Sequence, residues 1–162
     1  MPSFVDRPAQ RYAGFRDTVT VEGLREVAHR IAAIVGALAA RGVTPAGAPF
    51  FRYLVIGPGM SSLTVEAGVP IEAPVDLGEE YFTDVVPAGK YAMSTHHGAP
   101  DGLHAATAAI LAWGEQEGVR WDRTETPAGE HWAARIEVYR TDPRQEPDAT
   151  KWETDLYLRL AD

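Results

Sequence analysis

A chain of 162 residues that is 45% apolar and 23% charged has the make-up of an ordinary soluble globular protein of one domain, long enough to bury a sizeable core. Its formal net charge of −8 argues against the basic, phosphate-matching surface on which nonspecific nucleic-acid binding rests, while leaving small cationic ligands open. With no cysteine it has no disulfide, no thiolate metal site and no cysteine nucleophile. The start, Met1-Pro2-Ser3-Phe4-Val5-Asp6-Arg7, lacks the basic and apolar regions of a signal peptide, and no apolar run is long enough to span a bilayer. A cytoplasmic location without membrane association is therefore expected.

Arg11 to Val21 is rich in β-branched and aromatic residues and predicts a strand. Leu24, Val27, Ala28, Ile31, Ile34, Val35 and Leu38 then recur at helical spacing. Arg41 suits the negative end of that helix and Gly42 is a natural left-handed stop. Thr44 to Pro49 reads as a loop and Phe50 to Ile56 as a strand with Phe51, Tyr53 and Val55 on one face. After the turn Gly57-Pro58-Gly59, Leu63 to Ile71 predicts a strand interrupted near Gly68 and Pro70. Glu72 to Pro87 reads as a connector whose acidic residues Asp76, Glu79, Glu80 and Asp84 form a solvated face.

The pattern then restarts. Gly89 to Thr95 predicts a strand, His96 to Asp101 a turn, and Leu103, Ala106, Ile110 and Trp113 a helix that stops at Gly118. Arg120 to Arg123 and Gly129 to Tyr139 supply strand material, and Lys151 to Leu160 closes the chain. Strand–helix–strand–strand thus occurs twice, as pseudo-repeated modules over about 11–72 and 88–162 joined by a connector at 73–87. Two such units predict an α+β fold, a mostly antiparallel sheet with both long helices on one face and a ligand cleft between the halves.

Within the second unit, Ala134 to Arg140 alternates. Ile136 and Val138 point to one face, suited to packing on helices, and Arg135, Glu137 and Tyr139 to the other, where a carboxylate and a phenol lie side by side. A single Glu-x-Tyr is by default a solvated polar face. Metal and phosphate chemistry find no such footing. The adjacent His96 and His97 point opposite ways in a strand, and adding His104 or His131 gives no zinc spacing, so no metal and no cofactor is expected. Gly57 to Ser62 fits neither a phosphate loop nor a nucleophile elbow.

A longer set of landmarks resembles a known family. Val86-Pro87-Ala88-Gly89-Lys90-Tyr91-Ala92, His97-Gly98, Leu103, Trp113, Glu137-Val138-Tyr139 with Asp142-Pro143, and Thr154-Asp155-Leu156-Tyr157-Leu158 follow one another as in GyrI-like small-molecule-binding domains. Glu66-Ala67-Gly68-Val69-Pro70 resembles the corresponding motif of the first half. These domains include the effector domains of multidrug-responsive regulators of the AraC and MerR types. The resemblance implies the duplicated module and a pocket between its halves, in which a glutamate among aromatic side chains accepts bulky, lipophilic, often cationic compounds.

Glu137 matches that glutamate best and Glu66 is the second choice. Phe51, Tyr53, Trp113, Tyr139 and Trp152 are the candidate walls. A carboxylate removed from water needs a compensating charge or hydrogen bonds, and aromatic faces attract cations. Arg135, on the same face, could instead neutralise Glu137 and leave a pocket for neutral ligands. Trp113, on the helix stripe, has core packing as its ordinary role.

The two modules leave no room for a helix-turn-helix, so the chain resembles the stand-alone members and is not expected to bind DNA by itself. Three functions follow, in order. The first is a binding protein that senses or sequesters small lipophilic or cationic molecules. The second is a hydrolase of cyclopropane-bearing reactive compounds, an activity of some stand-alone members, with Glu137 as general base and Tyr139 or Tyr53 as donor. The third is an inhibitor of a protein partner, since one member of the family restrains a topoisomerase.

Overall fold

Alternating apolar residues and two amphipathic stripes give ten strands and two long helices in the computed structural model, which describes residues 1–162. In chain order these are β1 (Ser3–Arg7), β2 (Gln10–Val19), α1 (Leu24–Ala39), β3 (Phe50–Ile56), β4 (Leu63–Pro70), β5 (Phe82–Val86) and β6 (Gly89–His97). They continue with α2 (Leu103–Gln116), β7 (Arg123–Thr126), β8 (Gly129–Trp132), β9 (Arg135–Tyr139) and β10 (Glu153–Arg159). No helix is long and apolar enough to cross a membrane.

All strands join one antiparallel sheet in the order β1-β6-β10-β9-β3-β4-β2-β5, with the β7–β8 hairpin attached through β8 to β3. On one side of the β9–β3 pair the order is β3-β4-β2 and on the other β9-β10-β6, with the β7–β8 hairpin inserted in the chain between α2 and β9. β5 closes the first side and β1 the second. The helices take the flanks, α1 on β2 and β4 and α2 on β6. The α+β architecture expected from the sequence is the one observed, and the central strands β9 and β3 lie between the two helices.

The large core fills the helix-bearing face. Val27, Ile34 and Leu38 of α1 and Leu103 and Ile110 of α2 cluster there with Phe51, Tyr53, Leu63, Val65, Leu156 and Leu158 of the sheet. The buried stripe of α2 is Leu103, Thr107, Ile110 and Gly114, rotated from the expected one, with Trp113 half-buried beside it. The cause is Trp121, whose ring lies against Gly114 where a Cβ would stand.

A second, smaller core on the other face joins Tyr12, Phe50, Val86, Tyr91, Ala134 and Ile136, with Val138 against it. Here the structure corrects the sequence reading of β9. Ile136 and Val138 pack away from the helices, and Glu137 is on the helix-bearing face. A period of two separates the faces of a strand, but when both faces are buried it does not say which one the helices cover.

Three further details differ from expectation. The connector at 73–87 contains β5, which pairs with β2 while its Phe82 ring lies edge-on to Tyr12 at 6.0 Å. Strand β1 was not anticipated; it is a five-residue edge strand tied to β6, and Arg7 lies over the Tyr157 ring at 4.2 Å. Strand β4 runs unbroken through Gly68 because the Phe50 ring covers it, 2.5 Å from where its Cβ would stand. Asp76, Glu79, Glu80 and Asp84 are all exposed, as a solvated face requires.

Gly129 opens β8 with a φ of 125°, and a Cβ there would run into the Ile56 carbonyl. Gly129→Ala is therefore expected to lower stability by more than about 1 kcal/mol, read as a fall in the urea midpoint at constant m-value.

Candidate functional site

Glu137 is in the middle of β9, opposite Phe51 of β3 on one side and Leu156 of β10 on the other. Its Oε1 accepts from the Tyr139 hydroxyl at 2.7 Å and the Tyr53 hydroxyl at 3.1 Å. Phe51 meets Tyr139 edge-on at 5.3 Å and Tyr53 at 6.3 Å, so three aromatic rings surround one carboxylate. The side chain is half-buried. Burial raises the acid's pKa above its ordinary value of 4.5; the hydroxyls of Tyr139 and Tyr53, then Arg135 and His96, pull the other way. Burial likewise pushes the Tyr53 and Tyr139 hydroxyls well up, and the nearby Glu137 charge adds to it, so both remain protonated donors.

Arg135 shares this face but does not neutralise Glu137 through an ion pair. No carboxylate stands within ion-pair distance of its guanidinium, which stacks instead on Tyr53 at 5.8 Å and Trp132 at 5.6 Å from the ring centres. Burial lowers its pKa from the ordinary arginine value, and the charges of Glu137 and Glu130 act against that shift. Beside it opens a cavity of about 310 Å³ lined by Ile56, Gly57, Met60, His104 and Leu111 among others. Another cavity, of about 500 Å³ between Gln10, Arg11, Glu72 and Val85, has no aromatic wall.

The structure thus brings together Glu137, Tyr139, Tyr53 and Phe51. It sets Glu66 elsewhere: that residue is fully buried on the other face. There its Oε1 accepts from Tyr12, and its Oε2 accepts from Arg16 Nε at 2.8 Å and Nη2 at 2.7 Å. Arg52 Nη1 donates to the Tyr12 hydroxyl at 2.9 Å, completing a network of structural character. Trp113 pairs with Phe4 of the edge strand β1 at 4.6 Å, and the Trp152 indole N–H donates to the Glu146 carbonyl at 2.6 Å, holding the loop before β10. Neither tryptophan forms an aromatic pair with Phe51, Tyr53 or Tyr139.

Sequence reasoning missed His96, which stands opposite Thr154 and through it in line with Tyr139. It also missed Leu156, the cross-strand neighbour of Glu137. Both depend on the registers of β6, β10 and β9, which no local pattern encodes.

No curated protein sequence matches the chain. Among solved structures, the fold is similar to the C-terminal domain of EcmrR, with a TM-score of 0.78 at 17% identity over 100% of this chain and 98% of that one. It is equally similar to EcmrR in its complex with DNA, with a TM-score of 0.79 at 17% identity, where all of this chain spans 57% of the EcmrR chain. SAV2435 bound to tetraphenylphosphonium has a TM-score of 0.66 at 11% identity over 99% of this chain and 94% of that one. A hydrolase from Listeria innocua has a TM-score of 0.60 at 12% identity over 99% and 91%. At such identities the likeness shows a shared fold. The sequence itself matches one family model over residues 1–161, and by that match the chain belongs to the GyrI-like small molecule binding domains.

Proposed function

We propose that this domain binds lipophilic, positively charged small molecules in the groove between α1 and α2, with Glu137 as counter-charge and Phe51, Tyr53 and Tyr139 as walls. The observation that carries the reading is the state of Glu137. It is a half-buried carboxylate whose hydrogen bonds come from two phenols, with no cation in ion-pair contact. A charge held away from water in that way lacks full compensation, and a soft cation that brings little hydration of its own supplies it while stacking on the rings. The SAV2435 structure, with its bound tetraphenylphosphonium, supports the choice of ligand class.

The pH dependence follows from the raised carboxyl. A cation needs Glu137 ionised, so tetraphenylphosphonium affinity is expected to be weakest near and below pH 4.5, the ordinary value, and to rise until the raised value is passed. Stability of the unliganded protein runs the opposite way. The folded state holds this proton more tightly than the unfolded chain does, so the contribution of Glu137 is fully present below 4.5 and is lost as pH rises through the folded value. Isothermal titration across this range, on the wild type and on Glu137→Gln, tests the reading. A pH-independent affinity in the wild type, unchanged in the variant, would refute it.

A hydrolytic reading has one specific observation in its favour: the same raised carboxyl sits 2.7 Å from the Tyr139 hydroxyl, a base beside a proton donor. In that reading Glu137 takes a proton from water as the water oxygen bonds a carbon of the cyclopropane. The ring C–C bond breaks, and its electron pair, held on the compound's conjugated acceptor, takes a proton from Tyr139 or Tyr53. Mass spectrometry of a cyclopropane-bearing electrophile incubated with the wild type and with Glu137→Gln separates turnover from binding: Glu137-dependent addition of water supports it, and an intact compound removes it.

A further inference from the structure

Arg135 is a cation beside the Glu137 site that cation binding at Glu137 leaves unused. Its guanidinium carries five donors; no protein acceptor takes them, the rings of Tyr53 and Trp132 lie against the group, and its nitrogens stay open to the cavity beside it. Of the other polar groups that line this cavity, Glu130 is engaged by Arg123 at 2.8 Å and His104 is an exposed residue of α2; Arg123 itself lies over the Trp132 ring at 5.4 Å. The guanidinium lines the 310 Å³ cavity together with Ile56, Met60 and Leu111, the glycine-rich turn after β3, and the polar His104 and Glu130. The rim includes Met60, whose φ of 60° makes it the non-glycine residue held in the left-handed region.

We propose that this cavity is a second subsite of the groove, which seats an oxygen acceptor of the ligand, a carboxylate above all, on Arg135. The proposal rests on the cation reading of Glu137 and narrows its substrate class to molecules carrying both a lipophilic cation and an acceptor arm. Tyr53 is the element shared by the two subsites, with its hydroxyl on Glu137 at 3.1 Å and its ring under Arg135. Glu137 and Arg135 are two residues apart on one strand face, roughly 7 Å along the strand. A short alkyl chain bridges that distance. A bound carboxylate would accept from the guanidinium fork in a partly dry site, where charge-assisted hydrogen bonds are strongest. The opposite charges of the two subsites would fix the orientation of the ligand along the groove.

The test compares (4-carboxybutyl)triphenylphosphonium with butyltriphenylphosphonium by isothermal titration at pH 7.5. The wild type is expected to bind the carboxylate-bearing compound at least about tenfold more tightly. In Arg135→Met, which keeps an apolar stem against Tyr53 and Trp132, the ratio of the two affinities is expected to fall to one or below. Equal affinities in the wild type would overturn the acceptor subsite while leaving the Glu137 reading in place, and so would a preference that survives Arg135→Met. The wild-type comparison stands even where the variant does not fold. Absence of binding by both compounds would remove the cation reading and the subsite with it.

Discussion

Glu66→Ala is expected to cost the domain about 2–4 kcal/mol of folding stability, because it strips the acceptor from a buried phenol and from an arginine whose side chain is half exposed. Glu66 is fully buried, and three groups depend on it: Arg16 through two bonds, Tyr12 through its hydroxyl, and Arg52 through Tyr12. Arg52 is itself buried, and it has already left one guanidinium nitrogen without a partner. Without Glu66 the Tyr12 hydroxyl loses its acceptor and Arg16 loses its carboxylate, while Arg52 keeps Asp84 at 3.9 Å. Against a total stability of about 5–15 kcal/mol for an ordinary domain, that loss brings the unfolding midpoint down sharply in a urea titration. Because Glu66 lies on the face opposite Glu137, the affinity of the remaining folded protein for a lipophilic cation should not change. A Glu66 variant that keeps its stability but loses cation binding would place the binding carboxylate on the wrong face of the sheet and defeat this account.

Glu137→Gln is expected to have the reverse profile. The amide oxygen can still accept from Tyr53 and Tyr139 while the uncompensated charge is gone, so stability at neutral pH should hold or rise. Cation affinity should fall by about 3 kcal/mol, on the order of a hundredfold, as it does when one member of a desolvated charge pair is removed. Titration calorimetry with tetraphenylphosphonium and a thermal melt of the unliganded protein measure the two halves of the prediction. A variant that is less stable and binds equally well would make Glu137 a structural residue.

Much of this could be read from the chain alone because the signals are local. The helical stripe from Leu24 to Leu38, the stop at Gly42 and the strand Phe50–Ile56 depend on neighbours a few residues away and are observed where they were expected. A bulge between Tyr53 and Val55, however, puts Ile56, in place of the expected Val55, in the core with Phe51 and Tyr53. The edge strands were not legible. β1 and β5 are five residues each, and they are strands because β6 and β2 offer them a free edge. At the site, the alternation of β9 put Glu137, Tyr139 and Arg135 on one face, but it could not say that this was the face carrying the helices. That depends on Ile136 finding Tyr12, Phe50 and Tyr91 behind the sheet, residues from three other strands. For the same reason Glu66 stayed a second candidate in sequence, and the sheet itself separates it from Glu137. The stacking of Arg135 on Tyr53 and Trp132, which keeps it from pairing with Glu137, depends on two strand partners and had no local signal.

Tetraphenylphosphonium and tetraphenylborate have nearly the same shape and opposite charge, which makes them the most direct probe of the cation binding proposed at Glu137. In a thermal-shift measurement on the wild-type protein at pH 7.5, the phosphonium is expected to raise the melting temperature in a concentration-dependent way, because a ligand of the folded state stabilises it by RT ln(1 + L/Kd), where L is the free ligand concentration. The borate is expected to give no such rise. Equal shifts for the two ions would show selection by shape, and a rise with the borate alone selection for an anion; either would contradict the role assigned to Glu137.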